Sequence, residues 1–486
     1  MSEINYMYLL SSRRNEALFP RAEPVCFGRA LLQLTESVWC RILREEDREI
    51  CLAGLCVDSL GEFSREQIPE MLLRAGRGGF SSVVEAEARL AGRYILIFTQ
   101  GAEAYILHDA TGAMQVFYHT GEEQCAASWE ALVAKALSLP VSEEDCSYHA
   151  GSDYTQAMPY DRCCYQNVRC LLPGHSLCLN SGKVNRYWLP PAPTENTEAV
   201  LEATARQIDA ITCAYAREVK LLCPITGGWD SRTNLSFLLK NGLSPETYTL
   251  YHPGFTDQSA DIAIPRQICS RFELVHREIP DLPEDESAFQ AAAEILGPYV
   301  SRRAICLART IGSVYGSEYA VLTGDNMDQI GKYRFGRRLP TFAATAGFLT
   351  CKLHSPVPGI RRHVAQQLRE YSRTGCRKAA FDLFALESRC GRWASQATTI
   401  YDIMGVQALN LFNCRMVLNA WMSLSKKERS RKMIHRYYLR RNVPELLEYP
   451  FNAPGWQDRM KKSAFLYWIA TYGKFFLAKW RWLRKK

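Results

Sequence analysis

The sequence predicts an α/β protein in two parts, a β-rich sandwich followed by a parallel sheet flanked by helices. Three observations carry this prediction. Residues 1–190 alternate β-prone runs with Gly- and Asn-bearing turns. The stretch Leu189 to Asn196 (LPPAPTEN) then gathers three prolines among polar residues, and from Thr197 the apolar period lengthens from about two to about 3.6 residues. The boundary falls there, giving parts at 1–190 and 197–460 and a basic, aromatic tail at 461–486.

Each element has its own warrant. Arg93 to Thr99 (RYILIFT), Ala104 to His108 (AYILH), Val116 to His119 and Ser176 to Leu179 are rich in residues that suit a pleated surface, and residues 1–190 are expected to hold mostly short strands. Past the prolines, Glu198 to Arg217 is amphipathic at helical spacing, Val219 to Ile225 is a short apolar strand, and Arg232 to Asn241 is helical with Gly242 as its stop. Thr247 to Tyr251, Ala260 to Arg271 and Leu274 to Ile279 continue as strand, helix and strand. Such alternation implies parallel pairing through right-handed crossovers, with ligands at the carboxyl ends of the strands. Residues 290–316 and 340–440 read as long helices packed around that sheet.

Composition narrows the class of protein. With 486 residues, 47% apolar and 23% charged, the chain is neither disordered nor collagen-like. Its net charge of +8 is small for this length and is carried by residues 461–486, so no nucleic-acid partner is expected. Eighteen cysteines are scattered without a C-x-x-C pair, which suits a reduced cytoplasm. The first 20 residues lack a continuous apolar core and no later run of 18 apolar residues occurs, so a soluble, cytoplasmic chain is expected.

The chemistry concentrates in one loop. Thr226-Gly227-Gly228-Trp229-Asp230-Ser231-Arg232 ends an apolar strand and opens a helix. Paired glycines let backbone N–H groups turn toward an anion, and the helix dipole adds about half a positive charge, so phosphate can bind. Asp230 would repel that phosphate unless a divalent cation bridged them, which makes it a candidate Mg²⁺ ligand. The alternative is a plain strand-to-helix turn with Asp or Ser as N-cap. A second strand end, Ala320 to Thr323, leads into Gly324-Asp325-Asn326-Met327-Asp328-Gln329, and in a parallel sheet both ends can face one crevice.

These motifs resemble those of the asparagine synthetase superfamily. T-G-G-W-D-S looks like its S-G-G-x-D-S pyrophosphate loop, and Leu322 to Tyr333 (LTGDNMDQIGKY) its G-[ED]-G-x-D-E motif, with Asn326 and Gln329 as departures. Gly92-Arg93-Tyr94-Ile95, His108-Asp109-Ala110-Thr111-Gly112, Leu172-Pro173-Gly174-His175 and Arg186-Tyr187-Trp188 resemble its N-terminal amidotransferase domain. The resemblance implies an Ntn-type sandwich joined to an adenine-nucleotide α-hydrolase-like sheet. Glutamine-using members carry Cys after the initiator Met. Ser2 stands here, which points to a domain without glutaminase activity, as in β-lactam synthetases and lasso-peptide cyclases.

The resemblance also implies an activity: ATP- and Mg²⁺-dependent activation of a carboxylate as an acyl-adenylate, then amide formation. Thr226, Gly227, Gly228 and Ser231 would hold pyrophosphate, Asp230 and Asp328 would hold Mg²⁺, and Gly324 would let AMP approach. Asp325 would orient or deprotonate the amine, and Lys461 or Lys462 would stabilise developing charge. Partners implied are a small-molecule or peptide carboxylate, an amine donor and a second copy of the chain. Glutamine- or ammonia-dependent asparagine synthesis and an inactive, family-derived scaffold remain as alternatives.

Three further features stand apart from these motifs. His252 and His276 lie near strand ends without a second ligand at metal spacing, so ordinary structural roles are expected. Lys426 to Arg441 (KKERSRKMIHRYYLRR) reads as a solvated helix face. The tail reads either as a helix packed on the body or as an interfacial helix in peripheral contact with a membrane.

Overall fold

Strict alternation along Leu90–Gln100 sends Ile95 and Ile97 to one apolar cluster and Tyr94, Leu96 and Phe98 to another. A strand buried on both faces must lie in a sheet covered on both sides. The computed structural model of the protein, which describes residues 7–27, 30–121, 123–143, 158–296, 300–335, 339–353, 358–452, 460 and 463–485, shows that arrangement. Its N-terminal strands are β1 (Tyr8–Ser11), β2 (Val25–Phe27), β3 (Ala30–Leu34), β4 (Cys40–Glu45), β5 (Arg48–Asp58), β6 (Leu90–Gln100), β7 (Glu103–His108), β8 (Phe117–His119), β9 (Cys125–Ala127), β10 (Val168–Cys170), β11 (His175–Cys178) and β12 (Val184–Arg186). Among the described residues they form two six-stranded antiparallel sheets, ordered β10-β8-β9-β1-β3-β2 and β12-β11-β7-β6-β5-β4.

One apolar cluster fills the space between the sheets, with Leu10 and Leu32 from the first against Ala53, Ile95 and Ile106 from the second. Helices Ile68–Ala75 and Phe80–Glu87 cover the far face of the second sheet. Helix Glu130–Leu137 covers the first. The sequence anticipated short strands only. β5 and β6 run for 11 residues each because their pairing continues unbroken from Arg48↔Gln100 to Asp58↔Leu90, and the three eight-residue helices are too short to impose a visible period.

The parallel sheet comprises β13 (Lys220–Pro224), β14 (Glu246–Tyr251), β15 (His276–Pro280), β16 (Tyr319–Leu322) and β17 (Gln407–Leu409), in the order β15-β14-β13-β16-β17. All four neighbouring pairs are parallel. Helices Thr197–Glu218, Trp229–Lys240, Ala260–Arg271 and Arg302–Tyr315 connect or flank them. The order runs outward from β13 in one direction and resumes beside it with β16, so the two strands flank a topological switch point.

Two expectations change. The helix after β13 begins at Trp229, three residues before the predicted start, because Gly228 is extended and serves as N-cap. The region 340–440, read as helical, contains β17, whose three residues carry no period of their own.

The two parts are joined by buried polar contacts. Arg93 pairs with Asp402 through both guanidinium arms, Arg186 lies 2.7 Å from Glu387, and Arg415 lies 2.6 Å from Glu87. Asn413 donates to the Gly92 carbonyl at 2.6 Å and to Asp109 at 2.8 Å. Removing one partner of such a pair strands a buried charge and costs about 3–5 kcal/mol. None of the seventeen described cysteines forms a disulfide.

The C-terminal residues form helix Ala464–Lys485, and Tyr467 and Tyr472 pack beside Phe348 of helix Ala346–Lys352. Among the described residues no helix is long and apolar enough to cross a membrane.

His175 supplies a pH test of the sandwich. Its Nδ1 donates toward the Pro173 and Leu172 carbonyls, at 3.0 and 3.2 Å, and burial with the nearby Arg186 charge pushes its pKa down to about 3. The unfolded chain therefore binds this proton below pH of about 6.5 while the fold excludes it, so stability is complete above that value and lost as pH falls. Urea titrations at pH 5 should show a slope about 1.4 kcal/mol per pH unit shallower in His175→Asn than in the parent.

Candidate functional site

The loop leaving β13 is held largely by its own atoms. Thr226 N donates to Ser231 Oγ at 3.1 Å, and Gly228 N donates to Thr226 Oγ1 at 3.1 Å. Gly227 N donates to the Asp261 carboxylate at 2.8 Å, which Asn452 Nδ2 also reaches at 2.8 Å. A Cβ at Gly227 would sit 2.2 Å from Asn452 Oδ1, so a larger residue there would displace the Asn452 side chain from the loop. Trp229 stacks on Phe451 with ring centroids 3.5 Å apart.

Arg232 lies fully buried behind the loop. It donates to the carbonyls of Leu446, Tyr449, Gly227 and Pro450. Burial lowers its pKa to about 10, which leaves it charged at neutral pH. Its hydrogen-bond acceptors among the described residues are carbonyl oxygens, so its positive charge is not cancelled by a bonded carboxylate and adds to the helix dipole.

The loop leaving β16 meets the first one. Asn234 from helix Trp229–Lys240 and Asn410 after β17 both donate to the Thr323 carbonyl, at 3.2 and 3.1 Å. A Cβ at Gly324 would lie 2.9 Å from Cβ of Asp230. The two strand ends therefore share one crevice, with main chain at residue 324 against the Asp230 side chain.

Three carboxylates converge there, each in a different environment. Burial would raise the pKa of Asp230, but a 2.7 Å contact to His435 Nε2, with Lys332 and Lys432 nearby, holds it below the ordinary range. Asp328, in a π-helical turn at Met327–Gly331, pairs with Arg334 at 2.8 Å and Lys332 at 3.6 Å. Asp325 is pushed up to about 6 by burial and by the charges of Asp328 and Asp230. Among the described residues no group of three or more His, Cys, Asp or Glu side chains encloses a metal position. The acidic cluster is thus open, and a hard cation there would need oxygens from a ligand or water as well.

The structure brings together Thr226, Gly227, Gly228, Asp230, Ser231, Gly324, Asp325 and Asp328. Lys461 and Lys462 lie outside the described residues, as does Ser2. Asn326 and Gln329 are buried, and Asn326 Nδ2 and Gln329 Oε1 have no hydrogen-bond partner among the described residues. His252 bonds to Asp281 and His276 to Thr247, at 2.8 and 3.0 Å.

The stretch Lys426 to Arg441 is a correction. It is not a solvated face: Arg429 is buried against Asp382 at 2.9 and 3.0 Å, and helix Met433–Asn442 buries Ile434, His435, Tyr438 and Leu439. The (i, i+4) pairs Ile434/Tyr438 and His435/Leu439 were the available signal, masked by the surrounding basic residues.

One narrow space adjoins this region, and a larger one lies toward the amino-terminal ends of β13 and β17, where Val219 and Gln407 border it. A narrow cleft between Gly92, Arg93 and Thr111 of the sandwich and Thr323, Asp325 and Asn410 holds about 20 Å³, near the size of one water. The larger cavity, of about 210 Å³, is bordered by Trp39, Gly54, Arg65, Arg93 and Gln407, and Arg93 lines both.

Fold and site together define an α/β protein with an acidic, glycine-rich crevice at the switch point of a parallel sheet, beside a layered antiparallel sandwich. No family model matches the chain, and no curated protein does. Among solved structures it is similar to glutamine phosphoribosylpyrophosphate amidotransferase from B. subtilis complexed with ADP and GMP, at 11% identity and a TM-score of 0.25 over 56% of this chain and 59% of that one. A second, described as the allosteric regulatory enzyme of purine biosynthesis, matches at 12% identity and a TM-score of 0.25 over 57% and 59%. The chain spans about three fifths of the length of each.

Two measurements test this geometry. Gly324→Ala forces a methyl against Asp230 and should lower unfolding free energy by about 1–3 kcal/mol in urea titration. Asp325→Asn should do the reverse at pH 7: a carboxyl pKa raised by the fold costs stability once ionised, a cost absent below the unfolded value near 3.8 and complete above about 6. The variant should therefore gain about 1–3 kcal/mol at pH 7 and nothing at pH 3.5.

Proposed function

We propose that the chain is an ATP-dependent amide-bond-forming synthetase that activates a substrate carboxylate as an acyl-adenylate. The observation that supports this best is the close approach of Gly324 to Asp230, which joins an anion-binding helix N-terminus to an acidic loop at the switch point. A substrate carboxylate oxygen would attack the α-phosphorus of ATP and release pyrophosphate; an amine would then attack the acyl carbon and release AMP. The amine is the substrate's own or comes from another donor such as ammonia.

The residues have distinct tasks in this reading. Gly227 N, Gly228 N and the Thr226 and Ser231 hydroxyls would turn from their internal acceptors to pyrophosphate oxygens, with Arg232 charge behind them. Asp261 now occupies the Gly227 amide as an anion would, which supports an anion-accepting role for that N–H. Mg²⁺, which commonly uses one or two carboxylates and completes its shell with phosphate oxygens and water, would be held by Asp230 and Asp328 and would neutralise the leaving pyrophosphate. His435 would orient Asp230. Asp325, with a pKa near 6, is mostly ionised at neutral pH and suited to accept the amine proton. Lys461 and Lys462 remain candidates for the developing charge.

A second reading, a non-catalytic binding protein, is favoured by the ion pairs that engage Asp328 and by the buried amides Asn326 and Gln329. Calorimetric titration with MgATP and carboxylate-dependent ATP–pyrophosphate exchange separate the two. The synthetase reading expects exchange with at least one amino-acid or peptide carboxylate, reduced by about 100-fold or more in Asp230→Ala. It also expects exchange to survive in Asp325→Asn while amide product is lost. Failure of the parent protein to bind millimolar MgATP would remove it.

A further inference from the structure

The C-terminal helix Ala464–Lys485 has two unlike faces. At about 100° per residue, Phe465, Ile469, Phe476 and Trp480 fall within about 60° of one another, and Leu477 widens the stripe. All five are exposed, Phe465 by 68% and Phe476 by 62%. Tyr467 and Thr471 project from the opposite side and are buried against the body. From Gly473 onward no described side chain is fully buried, and the exposed apolar stripe continues through Phe476, Leu477 and Trp480. Phe342, four residues before the helix that supports the tail, is 79% exposed.

Charge indicates what covers this face. Residues 461–486 contain eight Lys or Arg and no Asp or Glu. Lys479 is exposed one position before Trp480, and Arg481, Arg484, Lys485 and Lys486 follow in the chain. An apolar stripe with Trp and Phe on a segment whose charged residues are all basic matches a surface that is negative outside and hydrocarbon beneath. A span is excluded for this helix by its hydropathy.

We propose that helix Ala464–Lys485 docks the protein on an anionic lipid surface, lying in the headgroup plane with Phe465, Ile469, Phe476, Leu477 and Trp480 inserted. The contact is peripheral and reversible, because one short stripe supplies both the apolar and the electrostatic attraction.

Co-sedimentation of the full chain tests it, using vesicles of phosphatidylcholine alone or with about 30% phosphatidylglycerol as an anionic probe. The bound fraction should be at least about fivefold higher on anionic vesicles and should fall at least about fivefold in 0.5 M NaCl. Phe476→Glu/Leu477→Glu, on exposed positions, should remove binding while circular dichroism and thermal midpoint stay unchanged, and Lys479→Glu/Arg481→Glu should weaken it on anionic vesicles. Equal binding to neutral vesicles, binding indifferent to both double variants, or no binding to either vesicle would overturn the proposal. So would a concentration-dependent dimer in sedimentation velocity that Phe476→Glu/Leu477→Glu dissolves without any vesicle binding, since a second copy would then cover the stripe.

Discussion

The candidate site depends on one approach, main chain at Gly324 against the side chain of Asp230. It exists because β13 and β16 are neighbours in the sheet although 93 residues lie between Gly228 and Leu322, so two loops leave adjacent strands at the same edge. One offers N–H groups and a helix N-terminus that carries Asp230, the other the carboxylates of Asp325 and Asp328. Neither charge pattern alone selects a ligand, whereas together they suit an anion that arrives with a cation.

Around that contact the protein satisfies itself with groups of the sign a ligand would bring. The Asp261 carboxylate occupies the Gly227 amide, and Arg334 and Lys332 occupy Asp328. Buried polar atoms left unpartnered are costly, so such internal substitutes keep the loops ordered. Arg232 and His435 are different: both are fully buried, Arg232 donating to the carbonyls of Leu446, Tyr449 and Pro450 and His435 contacting Asp230 at the start of the helix. The segment that looks most like a charged surface in the sequence, Lys426 to Arg441, thus supplies the site with the buried His435.

The sandwich does more than precede the sheet. Arg93 and Asn413 carry its central strand β6 onto helix Ser395–Ile403 and the loop after β17, and Arg93 also lines the cleft that reaches Asp325. A change in the sandwich that moved β6 would thus reach the acidic loop through packed, buried contacts. Close-packed interiors transmit such shifts because they have few voids to absorb them.

Much of the fold was legible along the chain, and the reason is periodicity. Helices 197–218 and 260–271, the strands near 93–99 and 247–251, and the glycine-rich loop after β13 each rest on local patterns of residue type that survive in any tertiary setting. What only the tertiary structure decided are the relations without a local signature. They include β17 as the fifth strand, the burial of Arg232 and Arg429, and the pairing of Asp230 with His435 across 205 residues. A sequence pattern reports which face of an element is apolar, but a buried ion pair is settled by which faces meet, and that follows from the packing of the whole chain.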